Sequence, residues 1–488
     1  MRRRPWAAPA RLHPTGRRCY SLGIGGPFRF PDRRHPCIPG PMRKHAVRFG
    51  IVLLVLIAGL VFYLTRPDRA QLSENAVAGR APQLSQVRKQ TIPTVRIAEP
   101  TGWKDGQTPI APAGLQVQAF AKGLDHPRWL YRLANGDVLV AETNSPPREG
   151  GGITGWFMRL FMDRAGAGSA SANRITLLRD ADGDGVAEGR STLLSGLNSP
   201  FGMAVVGDWL YVANTDALVR YPFRVGQTRI TASAEKIVDL PGGGNHWARN
   251  VVADPDGKSL YVSVGSASNI AENGLDIEKN RAAIWQVDPV KKTFRIYAAG
   301  VRNANGMAFE PRTKDLWAVV NERDMLGSDM PPDYLTKVEF GGNYGWPWHY
   351  WGGYIDDRVQ PQRPDLRQYV ARPDYALGAH VAPLGLAFTG EMRLGDRFAN
   401  GAVVGLHGSW NRVPPSGYKV IYVPFAADGS FPAKDAKPVD LLAGFLSADG
   451  KEAFGRPVGV IADRTGAMLV ADDVGNVIWR VSQPLSAR

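Results

Sequence analysis

The chain has 488 residues and a formal net charge of +14, with 55 Gly and 37 Pro against only two Cys. Twelve Lys/Arg and a single acid fall within residues 1–48, so that segment carries +11 and the other 440 residues only +3. A nucleic-acid footprint is a basic stripe on a folded domain, and that charge placement excludes one. Cys19 and Cys37 both lie in the leading segment, which leaves the rest of the chain without a disulfide scaffold, a thiolate metal site or a cysteine nucleophile.

Residues 1–41 are rich in Arg, Pro and Gly without apolar periodicity and read as a disordered leader. From Met42 the layout becomes a basic stretch, Arg43, Lys44 and Arg48, followed by an uncharged apolar run from Phe49 to Thr65. Met42 therefore reads as the start of translation. Residues 46–65 are expected to be a transmembrane anchor or an uncleaved signal, because Arg66, Pro67, Asp68 and Arg69 follow without a small-x-small cleavage site. The positive-inside rule keeps the basic residues in the cytoplasm and sends the remainder across the membrane. Polar residues 66–104, interrupted by Pro82, Pro93 and Pro100, read as a linker.

From about residue 105 to the C-terminus the pattern is all-β. Six times a polar or Gly-containing turn leads into an apolar strand, at spacings of roughly 50 to 80 residues, which suits four-stranded blades. The openings are Gly123-Leu-Asp-His-Pro-Arg128, Gly196-Leu-Asn-Ser-Pro-Phe-Gly-Met203, Asn245-His-Trp-Ala-Arg-Asn250, Gly300-Val-Arg-Asn-Ala-Asn-Gly-Met307, His380-Val-Ala-Pro-Leu-Gly385 and Arg456-Pro-Val-Gly459. Most are followed by a second strand, such as Trp209-Leu-Tyr-Val-Ala-Asn214 or Met468-Leu-Val-Ala-Asp472. Sheets of this kind bury both faces only by packing around an axis, so a six-bladed β-propeller is predicted over 105–488. Arg128, His246, Arg302, His380 and Arg456 open their blades at equivalent positions and are expected at one mouth of the channel.

Within that ring, His246 can take a hydroxyl proton near neutral pH, while Arg302 and Asn303 can hold a developing oxyanion. Asp180-x-Asp182-x-Asp184-Gly185 resembles the start of a calcium-binding loop, but position twelve is Ser191, which leaves a structural turn and a structural calcium both open. Asn321, Glu322 and Asp324 end a strand and could offer oxygens to a metal near the axis; a salt-bridged strand end is the plainer reading. Gly341-Gly-Asn-Tyr-Gly-Trp346-Pro-Trp348 with Trp351 is either a stacking surface for a sugar or flat cofactor, or a packed turn. His407-Gly-Ser-Trp-Asn411-Arg412 follows another strand. The sequence has no Gly-x-Ser-x-Gly elbow, phosphate loop or dinucleotide fingerprint in context, which argues against a nicotinamide acceptor.

At these residues the chain resembles the quinoprotein sugar dehydrogenases, six-bladed propellers holding pyrroloquinoline quinone (PQQ), and in particular their sorbosone dehydrogenase branch. The resemblance covers about residues 113–485. It rests on Gly300-Val-Arg-Asn-Ala-Asn-Gly-Met-Ala-Phe309, Glu339-Phe-Gly-Gly-Asn-Tyr-Gly-Trp-Pro347, His407-Gly-Ser-Trp-Asn-Arg412 with Gly417-Tyr-Lys-Val420, and Gly455-Arg-Pro-Val-Gly459. It implies oxidation of a sugar or sugar-derived aldehyde, with His246 as base and Arg302 stabilising charge on the quinone. It further implies cofactor contacts from Arg128, Asn303, His380, His407, Asn411, Arg456 and Trp346, and Ca2+ polarising the quinone carbonyl. Asn245 stands where glucose-oxidising members have Asp, and their quinone-contacting Lys is replaced within the His407 segment. The partners so implied are a sugar or aldehyde substrate and a membrane quinone or cytochrome as electron acceptor. The location would be the periplasmic face of the inner membrane. A calcium-dependent lactone hydrolase, which needs several acids around an axial ion, and a non-catalytic binding propeller are the alternatives.

Overall fold

In the computed structural model the described residues are 40–90, 92–147 and 168–484, with side chains omitted for 40–44, 64 and 65. The leader over 1–39, and with it Cys19 and Cys37, lies outside them. Among the described residues, the first unit, which ends at Tyr63, is formed by the helix Gly40–Thr65, whose His45–Tyr63 stretch is long and apolar enough to cross a membrane.

The second unit is a six-bladed β-propeller preceded by a strap. Blades 1, 2 and 3 start on Pro127–Arg132, Met203–Val206 and Val251–Ala253, and blades 4, 5 and 6 on Ala304–Phe309, Pro383–Phe388 and Pro457–Ala462. Each is four antiparallel strands from the inside outward, with blade 4 gaining Ala78–Gly79 at its outer edge. The ring closes because Gln116–Lys122 becomes the outermost strand of blade 6, antiparallel to Val477–Ser482.

The apolar second strands follow from this arrangement, because successive side chains of a strand face opposite sides and both sides of a blade are covered. In blade 1, Leu139 and Ala141 pack toward blade 2, whereas Val138 and Val140 pack toward blade 6. The six hydrophobic clusters are accordingly the six interblade seams. Near the axis, where blades converge, side chains no longer fit. A Cβ on Gly306 would lie 2.7 Å from the Leu386 amide nitrogen, and one on Gly459 2.8 Å from the Arg128 carbonyl. That crowding explains the Gly recurring in the blade openings.

Residues 66–104, expected to be a linker, lie along the propeller. Ala70 N–H donates to the Val413 carbonyl (2.8 Å), Arg88 N–H to Leu326 (3.0 Å), Gln90 N–H to Met325 (3.1 Å) and Arg96 N–H to Trp410 (2.7 Å). Part of their backbone polarity is thus met by pairing with the propeller. A long connection in blade 4, between Pro332–Lys337 and Tyr375–Ala379, holds the aromatic Gly-rich segment and runs back beside blade 3 through Tyr344 N–H to the Ala299 carbonyl (2.9 Å).

Candidate active site at the channel mouth

Strand direction alternates within each blade, so residues just before a first strand and just after a second strand share one face of the ring. Two charge clusters and a histidine occupy that face.

The first cluster surrounds Asp473, which follows the second strand of blade 6 and is almost fully buried. Its Oδ2 meets Arg128 Nη2 at 2.8 Å, His407 Nε2 at 2.9 Å and His126 Nε2 at 3.5 Å. Burial opposes its ionisation, but His407, Arg128 and His126 outweigh it and hold the carboxyl well below the usual carboxylate range. Burial drives His126 the other way, down to about 4 despite the pull of Asp473, and lowers His407 as well. Arg456 donates to the Tyr418 hydroxyl (3.0 Å) and lies over its ring. Arg128 Nε, Arg456 Nε and Asp473 Oδ1 are buried without hydrogen-bond partners. Leaving such groups unmet is costly, and here two are guanidinium donors on one mouth.

The second cluster centres on Asn269 and Asp324. All five N–H groups of Arg302 are engaged: Nε with the Asn269 carbonyl (3.1 Å), Nη1 with the Asn321 and Glu322 carbonyls (3.2 and 2.7 Å), and Nη2 with Asn269 Oδ1 (3.0 Å) and Asp324 Oδ2 (3.4 Å). Asn411 Nδ2 donates to Asp324 Oδ1 (2.7 Å) and sits 3.3 Å from His380 Nδ1. His380 Nε2–H donates to the Gly327 carbonyl (2.9 Å), and burial lowers its pKa. Trp346 is buried and gives its indole N–H to the Asn269 carbonyl (2.9 Å), so its polar handle is spent on the protein.

His246 lies between the clusters. Its Nδ1 is 2.8 Å from the Ser266 carbonyl, which can only accept, so Nδ1 carries the proton of the neutral ring and Nε2 the lone pair. Gly265 lets Asn303 come close: a Cβ there would lie 2.5 Å from Asn303 Oδ1 and 2.7 Å from His246 Cβ. Ser266 N–H donates to the Arg302 carbonyl (2.8 Å), and Trp247 lies under the Arg128 guanidinium, 5.6 Å from its centroid. The blade openings are thus linked into one arc.

Two expectations change. Asn321, Glu322 and Asp324 do not converge on one point. Asn321 Nδ2 donates to the Asn303 and Pro383 carbonyls (3.3 and 3.0 Å), and Asp324 faces Asn411 and Arg302. Glu322 turns inward, where burial raises its pKa to about 7. Successive residues leaving a strand point to opposite sides, which separates them. Among the described residues, the group of acids that could close on an ion is Asp180, Asp182, Asp184 and Glu188. The fourth carboxylate of this group is Glu188, three residues before Ser191. This loop joins the third and fourth strands of blade 1 and so lies on the face opposite His246.

Asp473, His126, Asn269, Ser266 and Trp247 were not among the expected site residues. Asp473 follows a second strand as Asn321–Asp324 and His407–Asn411 do, a positional signal that could have found it.

A family model described as TrAA12-like matches residues 109–333 and 364–484. An aldose sugar dehydrogenase, YliI, of Escherichia coli is 24% identical over 302 residues, covering 57% of this chain and 74% of that protein. A pyrroloquinoline quinone-dependent pyranose dehydrogenase of Coprinopsis cinerea is 35% identical over 299 residues, 49% of this chain but only 40% of the fungal enzyme. The holo PQQ domain of the Coprinopsis pyranose dehydrogenase superposes with a TM-score of 0.62 at 20% identity, covering 79% of this chain and all of that domain. A family AA12 structure from Trichoderma reesei superposes with 0.63 at 19% identity over 80% of this chain and 99% of its own. The superpositions share the propeller fold, and the family match runs through all six blades and both charge clusters: the chain belongs to the TrAA12-like family.

Proposed function

We propose that the protein is a PQQ-dependent oxidoreductase acting on a sugar or a sugar-derived aldehyde of the aldose or L-sorbosone type. The observation that carries this reading is the pair of buried, unmet guanidinium Nε–H groups of Arg128 and Arg456, close to His407 through Asp473, on the mouth that also holds Asn303 and His246. Unspent cationic donors in a low-dielectric site fit an anion with several carboxylates, which PQQ is, and the fungal PQQ-dependent relative supports the assignment. Arg128, Arg456, His407 and Asn303 would hold the cofactor, with Asn411, His380 and Trp346 shaping the adjoining wall. When bound, PQQ supplies the two-electron acceptor.

The substrate hydroxyl proton goes to His246 Nε2, the nitrogen left basic by the Ser266 carbonyl. Arg302 keeps its positive charge behind Asn269 and Asp324, favouring negative charge that develops on the quinone side while fixing the strand ends. Calcium enters this reading twice. One ion would accompany the cofactor, and a separate structural ion would occupy the Asp180–Glu188 loop. A calcium-dependent lactone hydrolase would need its acids closing on an ion at the axis, whereas that acidic loop lies on the opposite face. The apolar helix would anchor the enzyme in the membrane that carries its quinone or cytochrome acceptor.

The test is reconstitution of purified protein with PQQ and calcium, followed by dye reduction with aldoses, sorbosone and simple aldehydes. His246→Ala is expected to keep quinone binding while cutting turnover by roughly 10²- to 10⁴-fold, the scale of a lost general base. No spectral change with PQQ and no turnover on any substrate would refute the proposal. Equal loss of binding and rate in the variant would make His246 a cofactor contact.

A further inference from the structure

The strap over residues 68–96 is joined to the two loops that carry Asp324 and Asn411, the first of which also holds the Gly327 carbonyl against His380. Ser328 N–H donates to Asp68 Oδ2 (2.6 Å), and Ser328 Oγ to the Asp68 carbonyl (3.0 Å). Asp329 is completely buried, accepts from Gln71 N–H (2.7 Å), and lies between Arg88 of the strap (3.3 Å) and Arg412 of blade 5 (3.5 Å). Arg88 also pairs with Asp68 at 3.1 Å. Arg412, buried beside Asn411, donates Nε to the Ser328 carbonyl (2.9 Å) and Nη2 to the Leu72 carbonyl of the strap (3.3 Å).

One ionic knot, Arg88–Asp329–Arg412, therefore ties together three segments distant in sequence. Its central loop carries Asp324 at one end and the Gly327 carbonyl that orients His380. The strap also reaches the blade 4 connection, where Lys89 pairs with Asp357 and Arg358 Nη1 donates to the Gln90 carbonyl (3.3 Å). The strap and residues 334–363 both lie outside the residues matched by the family model.

We propose that the strap is a positioning element of the active site: through Arg88, Asp68 and Asp329 it holds loops 324–330 and 407–413 in the register that sets Asp324, His380 and Asn411 at the mouth. The argument is one of entropy and charge. Neither loop is part of a strand where it meets the other, so each must be ordered by something else. Five backbone amides and two carbonyls of the strap, plus a buried ion cluster, supply that order. Removing Arg88 leaves Asp329 buried with half its charge compensation, which is far costlier than losing an exposed pair. The functional part rests on the quinone reading above; the structural part does not.

The experiment is hydrogen exchange on the full-length protein in detergent, with a PQQ titration alongside. In the wild type, peptides covering 68–90 and 324–330 should be protected without any cofactor. Arg88→Met should speed exchange in 324–330 and in 408–413 by about tenfold or more, with blade 1 peptides unchanged, the pattern of a local opening. It should also weaken PQQ about tenfold, the usual scale for a lost supporting contact, with the loss falling on affinity instead of on kcat at saturating quinone. Arg88→Lys should recover most of that affinity. An unprotected wild-type strap, or faster exchange confined to 68–97, overturns the proposal. If Arg88→Met does not fold, Asp68→Asn, which spares the Asp329 pair, gives the same readouts in milder form. A wild type that binds no PQQ refutes the quinone reading while the exchange arm still decides the strap.

Discussion

Acid should weaken this protein through His126 in a calculable way. In the folded state burial drives this histidine from 6.5 to about 4, with Arg128, His407 and Arg456 adding to the effect and Asp473 opposing it. A folded pKa below the unfolded one means that the unfolded chain binds more protons between the two values. The stabilisation from keeping His126 neutral is therefore complete above pH 6.5 and is lost as pH falls through 4. The shift is worth about 3 kcal/mol in all, of which about 2 to 3 kcal/mol is gone by pH 4.5. Other buried groups titrate in this window with the opposite sign: burial raises Asp472 to about 6, and Glu322 and Asp333 to about 7, so each favours the folded state as pH falls. The effect of His126 is thus read as a difference between proteins. His126 has φ 55°, a left-handed conformation that Asn tolerates best among non-glycine residues, so His126→Asn removes the titration with least backbone strain. Guanidinium unfolding followed by Trp fluorescence at pH 7.5 and 4.5 should show the wild type losing about 2 to 3 kcal/mol more than the variant. Parallel losses would refute a neutral, buried His126 beside Asp473.

Gly306→Ala should cost about 1 to 3 kcal/mol of stability, since the added Cβ meets backbone of blade 5 at 2.7 to 2.9 Å; Gly242→Ala, whose Cβ would meet only Asp216 at 3.7 Å, serves as a neutral control in thermal melts. Calcium should raise the melting temperature through the Asp180–Glu188 loop, and Asp182→Asn should abolish that rise without weakening PQQ; an unchanged calcium response in the variant would leave the loop a turn. Arg128→Met should weaken PQQ binding by at least tenfold in a fluorescence titration, because it removes one of the two guanidinium groups at this mouth that keep an unmet Nε–H.

The blades were legible because interblade burial writes itself as apolar second strands and as glycines where the ring is narrowest. Residues that open blades at equivalent positions, such as His246 and Arg302, could be placed on one face for the same reason. The Asp473 cluster was harder to see. It joins blades 1, 5 and 6, and only ring closure brings blade 1 beside blade 6. The inward turn of Glu322 depends on which side of a strand end a residue leaves from, which composition does not record. The strap was invisible for a different reason. A polar, Pro-interrupted stretch has the same composition whether its amides bond water or the carbonyls of Val413 and Leu326.

The strand that completes blade 6 has a consequence for biogenesis. Gln116–Lys122 finds its partner, Val477–Ser482, only after the other strands of all six blades have been delivered. Until then the ring has two unpaired ends and an open seam, and contacts of such long sequence separation form slowly. A polypeptide latched in this way stays threadable until Val477–Ser482 has emerged. Deleting Val477–Ser482 would unlatch the ring instead of merely shortening it.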